Sequence, residues 1–314
     1  MQVCFSDAYV DTDVAFDTFR KSAAIAASLR ADPVAGVVLV EPEPVDAAAL
    51  RTVHTDDYVD AVLTGSPAEL AASNELGWDP GLARAVVTST GGVRTAALTA
   101  LSTGGIAGSL SSGLHHAHPA HGRGYCTVNG LAVAARAAVA AGAARVLILD
   151  LDAHCGGGTA AILATLVDRG ALAHGTSIEQ VDVSVDPFDT YTSRPDARLT
   201  MTDGPGYLHT VATELAGIAA ADSIELVLYN AGMDPHHRAG GVEGIDGDVL
   251  AARERMVFDW ADAHGLPLAW VLAGGYVHGV ETKAGVAGTD TEGLVALHRL
   301  TIEAAAAASV ARRR

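Results

Sequence analysis

The 314-residue chain lacks any unbroken apolar run near the ~18 residues that a membrane span requires, because its Ala-rich segments carry Arg, Asp or Glu at helical intervals. The N-terminus, Met1-Gln2-Val3-Cys4-Phe5, has no basic region followed by a long apolar stretch, so no secretory signal is expected. Cysteine is scarce and odd in number: Cys4, Cys126 and Cys155 lie far apart. That argues against a disulfide framework and for a reducing, cytoplasmic setting. Basic residues are outnumbered 20 to 37, giving a net charge of −17. Such a surface repels phosphate backbones, so no nucleic-acid partner is expected, and no membrane partner either. An acidic surface also favours cationic substrates, or serves only solubility. Arg312-Arg313-Arg314 reads as a solvated helix end. No internal repeat and no convincing linker is visible, and no feature specifies an oligomer.

What the chain does contain is a core. Hydrophobic residues make up 49% of it, so it is globular. Short β-rich runs alternate with Ala-rich helical segments throughout. Strands are expected at 2–5, 35–40, 105–110, 145–149, 226–230 and 267–272, with one or two more in 174–185. Long helices are expected at 17–29, 81–101, 249–264 and 293–312. Alternation of this kind predicts one α/β domain over residues 1–314, a three-layer α/β/α with a mostly parallel sheet. In such folds the site lies beyond the carboxyl ends of the strands.

The most informative stretch is Leu147 to Thr159, Leu-Ile-Leu-Asp-Leu-Asp-Ala-His-Cys-Gly-Gly-Gly-Thr. An apolar run ends in Asp150, Asp152 and His154, polar at every second position. Alternate side chains of an extended strand share a face, so these three converge past its end. Two carboxylates and an imidazole so close compete for protons unless a cation sits among them, and oxygen with nitrogen donors suits zinc. The alternative is a glycine-rich strand end that only caps a helix or binds a phosphate.

Other strand ends supply different parts. His115-His116 follows the strand near Leu110, within a polar loop that also holds His118 and His121. Asp234 follows the strand near Asn230. Tyr276 follows Gly274-Gly275 after the last strand. Together these are the inventory of a metal-assisted amide hydrolase: ligands, a histidine to take a proton from water, and a tyrosine to hydrogen-bond a developing oxyanion. His118 and His121 read as solvent-exposed or supporting, and Cys126 and Cys155 as buried small residues.

Five segments in order carry a resemblance: Gly113-Leu114-His115-His116-Ala117, Gly124-Tyr125-Cys126-Thr127-Val128-Asn129, Asp150-Leu151-Asp152-Ala153-His154, Ala231-Gly232-Met233-Asp234 and Ala273-Gly274-Gly275-Tyr276. They resemble the zinc-dependent histone deacetylase superfamily, with its arginase/deacetylase fold. Among its members, bacterial chains grouped with class IV look most similar. The resemblance implies that Asp152, His154 and Asp234 bind Zn2+, with Fe2+ or Mn2+ as alternatives. It implies His116 as general base, His115 as its electrostatic support, and Asp150 as the residue orienting His115. It implies a structural K+ or Na+ near Asp150, Asp152, Ser184 and the Val185 carbonyl. Tyr276 would polarise the acyl carbonyl, and Gly124, Tyr125 and Gly275 would contact substrate. The implied activity is removal of an acyl group, usually acetyl, from acetyl-lysine, an acetylpolyamine or a small metabolite.

One departure matters. Gly157 stands where the family usually has a polar side chain that orients the second histidine. Either another group supports His116 or its basicity is altered. A second departure is the loop after Asp234, where His236, His237 and Arg238 could read substrate and Glu243 and Asp246 could attract a cationic amine. Two other readings stay open. One is a binuclear manganese ureohydrolase-like enzyme, which needs more ligands. The other is a homologue that binds acylated ligands and turns them over weakly.

Overall fold

A computed structural model of the chain describes residues 1–13, 17–277 and 290–312. Among the described residues eight strands form one sheet: β1 (Gln2–Cys4), β2 (Val38–Val40), β3 (Ile106–Ser112), β4 (Arg145–Asp150), β5 (Ser177–Ser184), β6 (Ala197–Met201), β7 (Leu226–Ala231) and β8 (Leu268–Leu272). Their order is β2-β1-β3-β8-β7-β4-β5-β6, and every pairing is parallel. The expected α/β architecture is therefore present, with helices on both faces.

The period-2 alternation of β4 shows why. Leu147 and Leu149 enter one apolar cluster, together with residues of the helices Asp17–Ala31, Tyr207–Ala216, Gly247–Ala263 and Thr291–Ala311. Val146 and Ile148 enter the other, with residues of the helices Pro80–Thr103, Gly130–Ala140 and Gly157–Asp168. A strand buried on both faces reads as a continuous apolar run, as this one does. The Thr291–Ala311 helix is long and apolar enough by composition to cross a membrane. Its face of Leu294, Leu297, Ile302 and Ala305 is buried against the sheet layer instead.

Local signals account for the element ends. Asp79 caps the Pro80–Thr103 helix by accepting the Leu82 N–H at 2.9 Å, proline occupies its first turn, and Gly104 closes it in the left-handed region. Gly108 on β3 faces Trp270 on β8, where a Cβ would lie 2.1 Å from the indole. Only glycine lets that large ring fill the space between the two strands.

Four features differ from the sequence reading. β6 was not anticipated: it is a five-residue edge strand with a half-exposed face. The β2 strand is confined to Val38–Val40 rather than running from Ala35. The polar stretch after Thr64 holds a short helix, Ala68–Ala71, between its turns. Of the terminal arginines, Arg312 donates to Asp262 and to the Leu266 carbonyl rather than being merely solvated, and Arg313 and Arg314 lie outside the described residues.

Candidate active site

The four strands whose ends carry chemistry are neighbours in the middle of the sheet, in the order β3-β8-β7-β4. The chain leaves β3 with His115 and His116, β8 toward Tyr276, β7 with Asp234, and β4 with Asp152 and His154. Sequence neighbours are thus replaced by sheet neighbours, and four segments meet over one crevice.

Asp152, His154 and Asp234 offer one donor atom each, all within 4.8 Å of one another. His154 Nδ1 lies 3.2 Å from Asp152 Oδ1 and 3.0 Å from Asp234 Oδ2. The remaining oxygens are committed to the backbone: Asp152 Oδ2 accepts the Gly274 N–H at 2.6 Å, and Asp234 Oδ1 accepts the Ala153 N–H at 2.9 Å. Each carboxylate therefore presents one oxygen toward His154. A tetrahedral ion with ligands at ~2.0–2.1 Å spaces its donors roughly 3.3 Å apart, so the donor set fits a zinc-sized cation. The electrostatics agree. Burial disfavours charge on His154, yet Asp152 and Asp234 raise its pKa to about 11. Burial, with Asp152, raises Asp234 to about 6. Two acids this close demand positive charge between them.

Arg253 braces the floor. It is fully buried, pairs with Glu254, and donates to the Leu151 carbonyl at 3.1 Å and the Gly232 carbonyl at 2.7 Å. It thereby ties the turn before Asp152 to the turn before Asp234. Nothing in the sequence marked it, because the contacts that reach the site go to the backbone carbonyls of Leu151 and Gly232.

The histidine pair sits beside the cluster. His115 Nδ1 lies 2.8 Å from Asp150 Oδ2, and Asp150 Oδ1 accepts the Asn230 amide at 2.8 Å. Burial opposes charge on His115, but Asp150 and Asp152 raise its pKa to about 10. His116 moves the other way, to about 4, through burial and the neighbouring His115. His116 Nδ1 faces Asp189 Oδ2 at 3.1 Å. Asp189 was missed at the sequence level. Of the two alternatives raised by Gly157, the structure supplies the first: another group does contact His116. His118 is bound to the same carboxylate through Nε2 at 3.2 Å and stacks on His121.

A cavity of ≈ 240 Å³ opens onto His116, His154 and Tyr276. Its walls are Gly124, Tyr125 and Phe188, with Glu75 as the acid at its lining. The Phe188 ring centroid is 4.9 Å from that of His116, edge to face. Gly275 does not join this lining: a Cβ there would meet Leu294 and His298. The loop after Asp234 is occupied with its own fold. Asp246 caps the Gly247–Ala263 helix, His236 Nδ1 accepts the Arg238 N–H, and His237 Nδ1 contacts the Ile245 carbonyl. Neither Glu243 nor Asp246 lines the cavity. Cys155 is buried against the Asp186 carbonyl and Met201, away from the donor atoms.

Beneath the dyad lies a second buried carboxylate. Asp182 pairs in register with Asp150, and Ser184 Oγ donates to Asp182 Oδ1 at 2.6 Å and to the His154 carbonyl at 3.1 Å. Burial, then Asp150, raises Asp182 to about 8.

An α/β/α sheet with acids, imidazoles and a tyrosine gathered at its central strand ends defines a hydrolytic enzyme. Residues 15–172 match the histone deacetylase domain. An uncharacterized protein of Picosynechococcus sp. is 34% identical over 247 residues, covering 76% of this chain and 79% of that one. The acetoin utilization protein AcuC of Bacillus subtilis is 38% identical over 130 residues, 38% of this chain, and the match spans only 34% of AcuC. Among solved structures, the HDA15 HD domain superposes with a TM-score of 0.75 at 22% identity, covering 97% of this chain and 90% of that one. An acetylpolyamine aminohydrolase from Burkholderia pseudomallei gives 0.72 at 19% identity, covering 98% and 99%. The chain belongs to the histone deacetylase family and is a hydrolytic deacetylase by class.

Proposed function

We propose that the protein is a zinc-dependent amidohydrolase that removes an acyl group, acetyl foremost, from an acylated amine. The observation that carries this reading is that His154, whose donor atom lies within 4.8 Å of those of Asp152 and Asp234, lines one cavity together with His116 and Tyr276. A divalent ion held by the three donors supplies Lewis acidity, making water more acidic and the acyl carbonyl more electrophilic. His116 Nε2 takes the water's proton and then passes it to the leaving amine. His115, held cationic by Asp150, stabilises the negative charge that develops nearby. The Tyr276 hydroxyl donates to the carbonyl oxygen as it becomes an oxyanion. Phe188 and Tyr125 flank the acyl chain, and Gly124 leaves room between them.

A monovalent cation near Asp150, Asp152, Ser184 and the Val185 carbonyl is supported by Asp182, a buried acid beside Asp150 that a K+ or Na+ would stabilise. Glu75 at the cavity lining favours substrates with a positively charged segment, as acetylated polyamines have. The three free, buried cysteines support a cytoplasmic location. The reading of a weakly catalytic binding homologue loses its motive, since His116 has a carboxylate partner despite Gly157.

The test is metal analysis of the purified chain, then turnover of an acetyl-lysine peptide and of N-acetylputrescine by the zinc-loaded protein. One divalent ion per chain with release of acetate is expected. A folded protein that binds no divalent ion would sink the proposal, and two ions per chain would favour the binuclear reading.

A further inference from the structure

We propose that Asp189 is the positioning residue of the general base His116, doing from the loop after β5 what residue 157 cannot do as glycine. This deepens the deacetylase reading and rests on it.

Two independent features support the assignment. The first is the contact: Asp189 Oδ2 lies 3.1 Å from His116 Nδ1, and its side chain is 4% exposed. The second is exclusion. A Cβ on Gly157 would lie 2.2 Å from the Asp189 carbonyl oxygen and 2.7 Å from its Cγ. The space that a side chain at 157 would need is filled by Asp189, so the two positions are mutually exclusive sources of one group.

The carboxylate is itself held from several sides. Oδ2 accepts the Gly158 N–H at 3.1 Å, and Oδ1 faces His118 Nε2 at 3.2 Å and Arg123 Nε at 3.4 Å. Gly156 has no side chain with which to cap the Gly157–Asp168 helix. Asp189 provides that cap from a distance, and the helix N-terminus favours its negative charge. Asp189 takes a φ of 58°, a left-handed conformation that aspartate tolerates better than most residues. Burial disfavours its charge, but His116 and His118 outweigh this and hold it well below the usual carboxylate range.

The chemical consequence follows from the imidazole. A permanent anion at Nδ1 fixes the proton there, which leaves the Nε2 lone pair to accept a proton on the cavity side. The residue before it, Phe188, walls the same cavity, with the Arg123 guanidinium 5.1 Å over its ring. One loop turn therefore sets both the orientation of the base and the position of the acyl wall.

The test is Asp189→Asn in the zinc-loaded full chain, assayed on whichever of the acetyl-lysine peptide and N-acetylputrescine the wild type turns over. Asparagine keeps the left-handed backbone and can still accept the Gly158 N–H. We expect kcat to fall roughly 10- to 100-fold with KM within about twofold, and the acidic limb of the pH–rate profile to move. Histidine-ring 15N NMR should show His116 protonated at Nδ1 in the wild type and a tautomer mixture in the variant. Unchanged kcat and an unchanged tautomer would overturn the assignment. If the variant does not fold, the wild-type spectrum decides: a proton on Nε2 of His116 refutes it. A wild type that hydrolyses neither substrate counts against the deacetylase reading, while the NMR result still judges Asp189.

Discussion

The Nε2 atoms of His115 and His116 lie 3.1 Å apart, close enough to share a proton and too close to carry two charges comfortably. Their surroundings drive their pKa values apart, to about 10 and about 4. Titratable pairs pushed apart in this way sort into a cation and a base. His116→Ala is expected to lower kcat by about 10²–10⁴-fold, and His115→Ala by less. With the wild type, kcat/KM should climb with pH as His116 sheds its proton and then level off. A rate that declines steadily from pH 5 to pH 8 would contradict this assignment of the base.

Metal uptake should be strongly pH-dependent. In the absence of an ion His154 holds its proton up to about pH 11, and that proton occupies the lone pair the ion needs. Binding must expel it, so affinity for Zn2+ should strengthen as pH rises toward that value. Calorimetry in buffers of different ionisation enthalpy should detect proton release near pH 7. Asp152→Ala and Asp234→Ala should each abolish stoichiometric binding, and a chelator should remove activity that added Zn2+ restores.

Arg253→Met tests the floor of the site. The substitution leaves Glu254 buried without its partner and frees the carbonyls of Leu151 and Gly232. Breaking a buried ion pair costs about 3–5 kcal/mol, which urea unfolding of the metal-free protein should read directly. Zn2+ affinity should fall as well, because both ligand turns lose their common support.

Acid should weaken the loop that carries the dyad. His54 Nδ1 donates to the His118 carbonyl at 2.9 Å, and its Nε2 accepts the Asn129 N–H at 3.1 Å. Burial lowers its pKa from 6.5 to about 4. Between those values the unfolded chain binds the proton and the folded chain does not. Stability is therefore intact above about pH 6.5 and lost as pH falls toward 4, on the order of 3 kcal/mol at full extent. Urea midpoints measured across that window should slope less steeply for His54→Gln.

The legible parts of the chain were those with a period. Asp152 and His154 stand two apart just past the end of a doubly buried strand, so their meeting could be read from spacing, whereas Asp150, expected to converge with them, turns to His115 and Asn230 instead. The Pro80–Thr103 helix was legible from its apolar run over 81–101, while its bounding signals, Asp79, Pro80 and Gly104, went unused. Asp189 had no such signal: it sits in an irregular turn, and its relation to Gly157 is an exchange through space across 32 positions of sequence. The glycine at 157 left open whether another group supports His116, and no spacing in the sequence singles out Asp189 as that group. β6 escaped because an edge strand with Arg198 and Thr200 on it needs neither strict alternation nor a continuous apolar run. Glu243 and Asp246 were misread because charge on a loop says little about direction; Asp246 points at its own helix.

The sheet order has a bearing on biogenesis. β8 lies between β3 and β7, both of which leave the ribosome earlier. Until residues 268–272 emerge, the two halves of the sheet have a missing slat between them, and the His115–His116 segment has no fixed distance from Asp234. The nascent protein should thus stay protease-sensitive and inert late into synthesis, then gain protection and activity in one step as the last strand slots home.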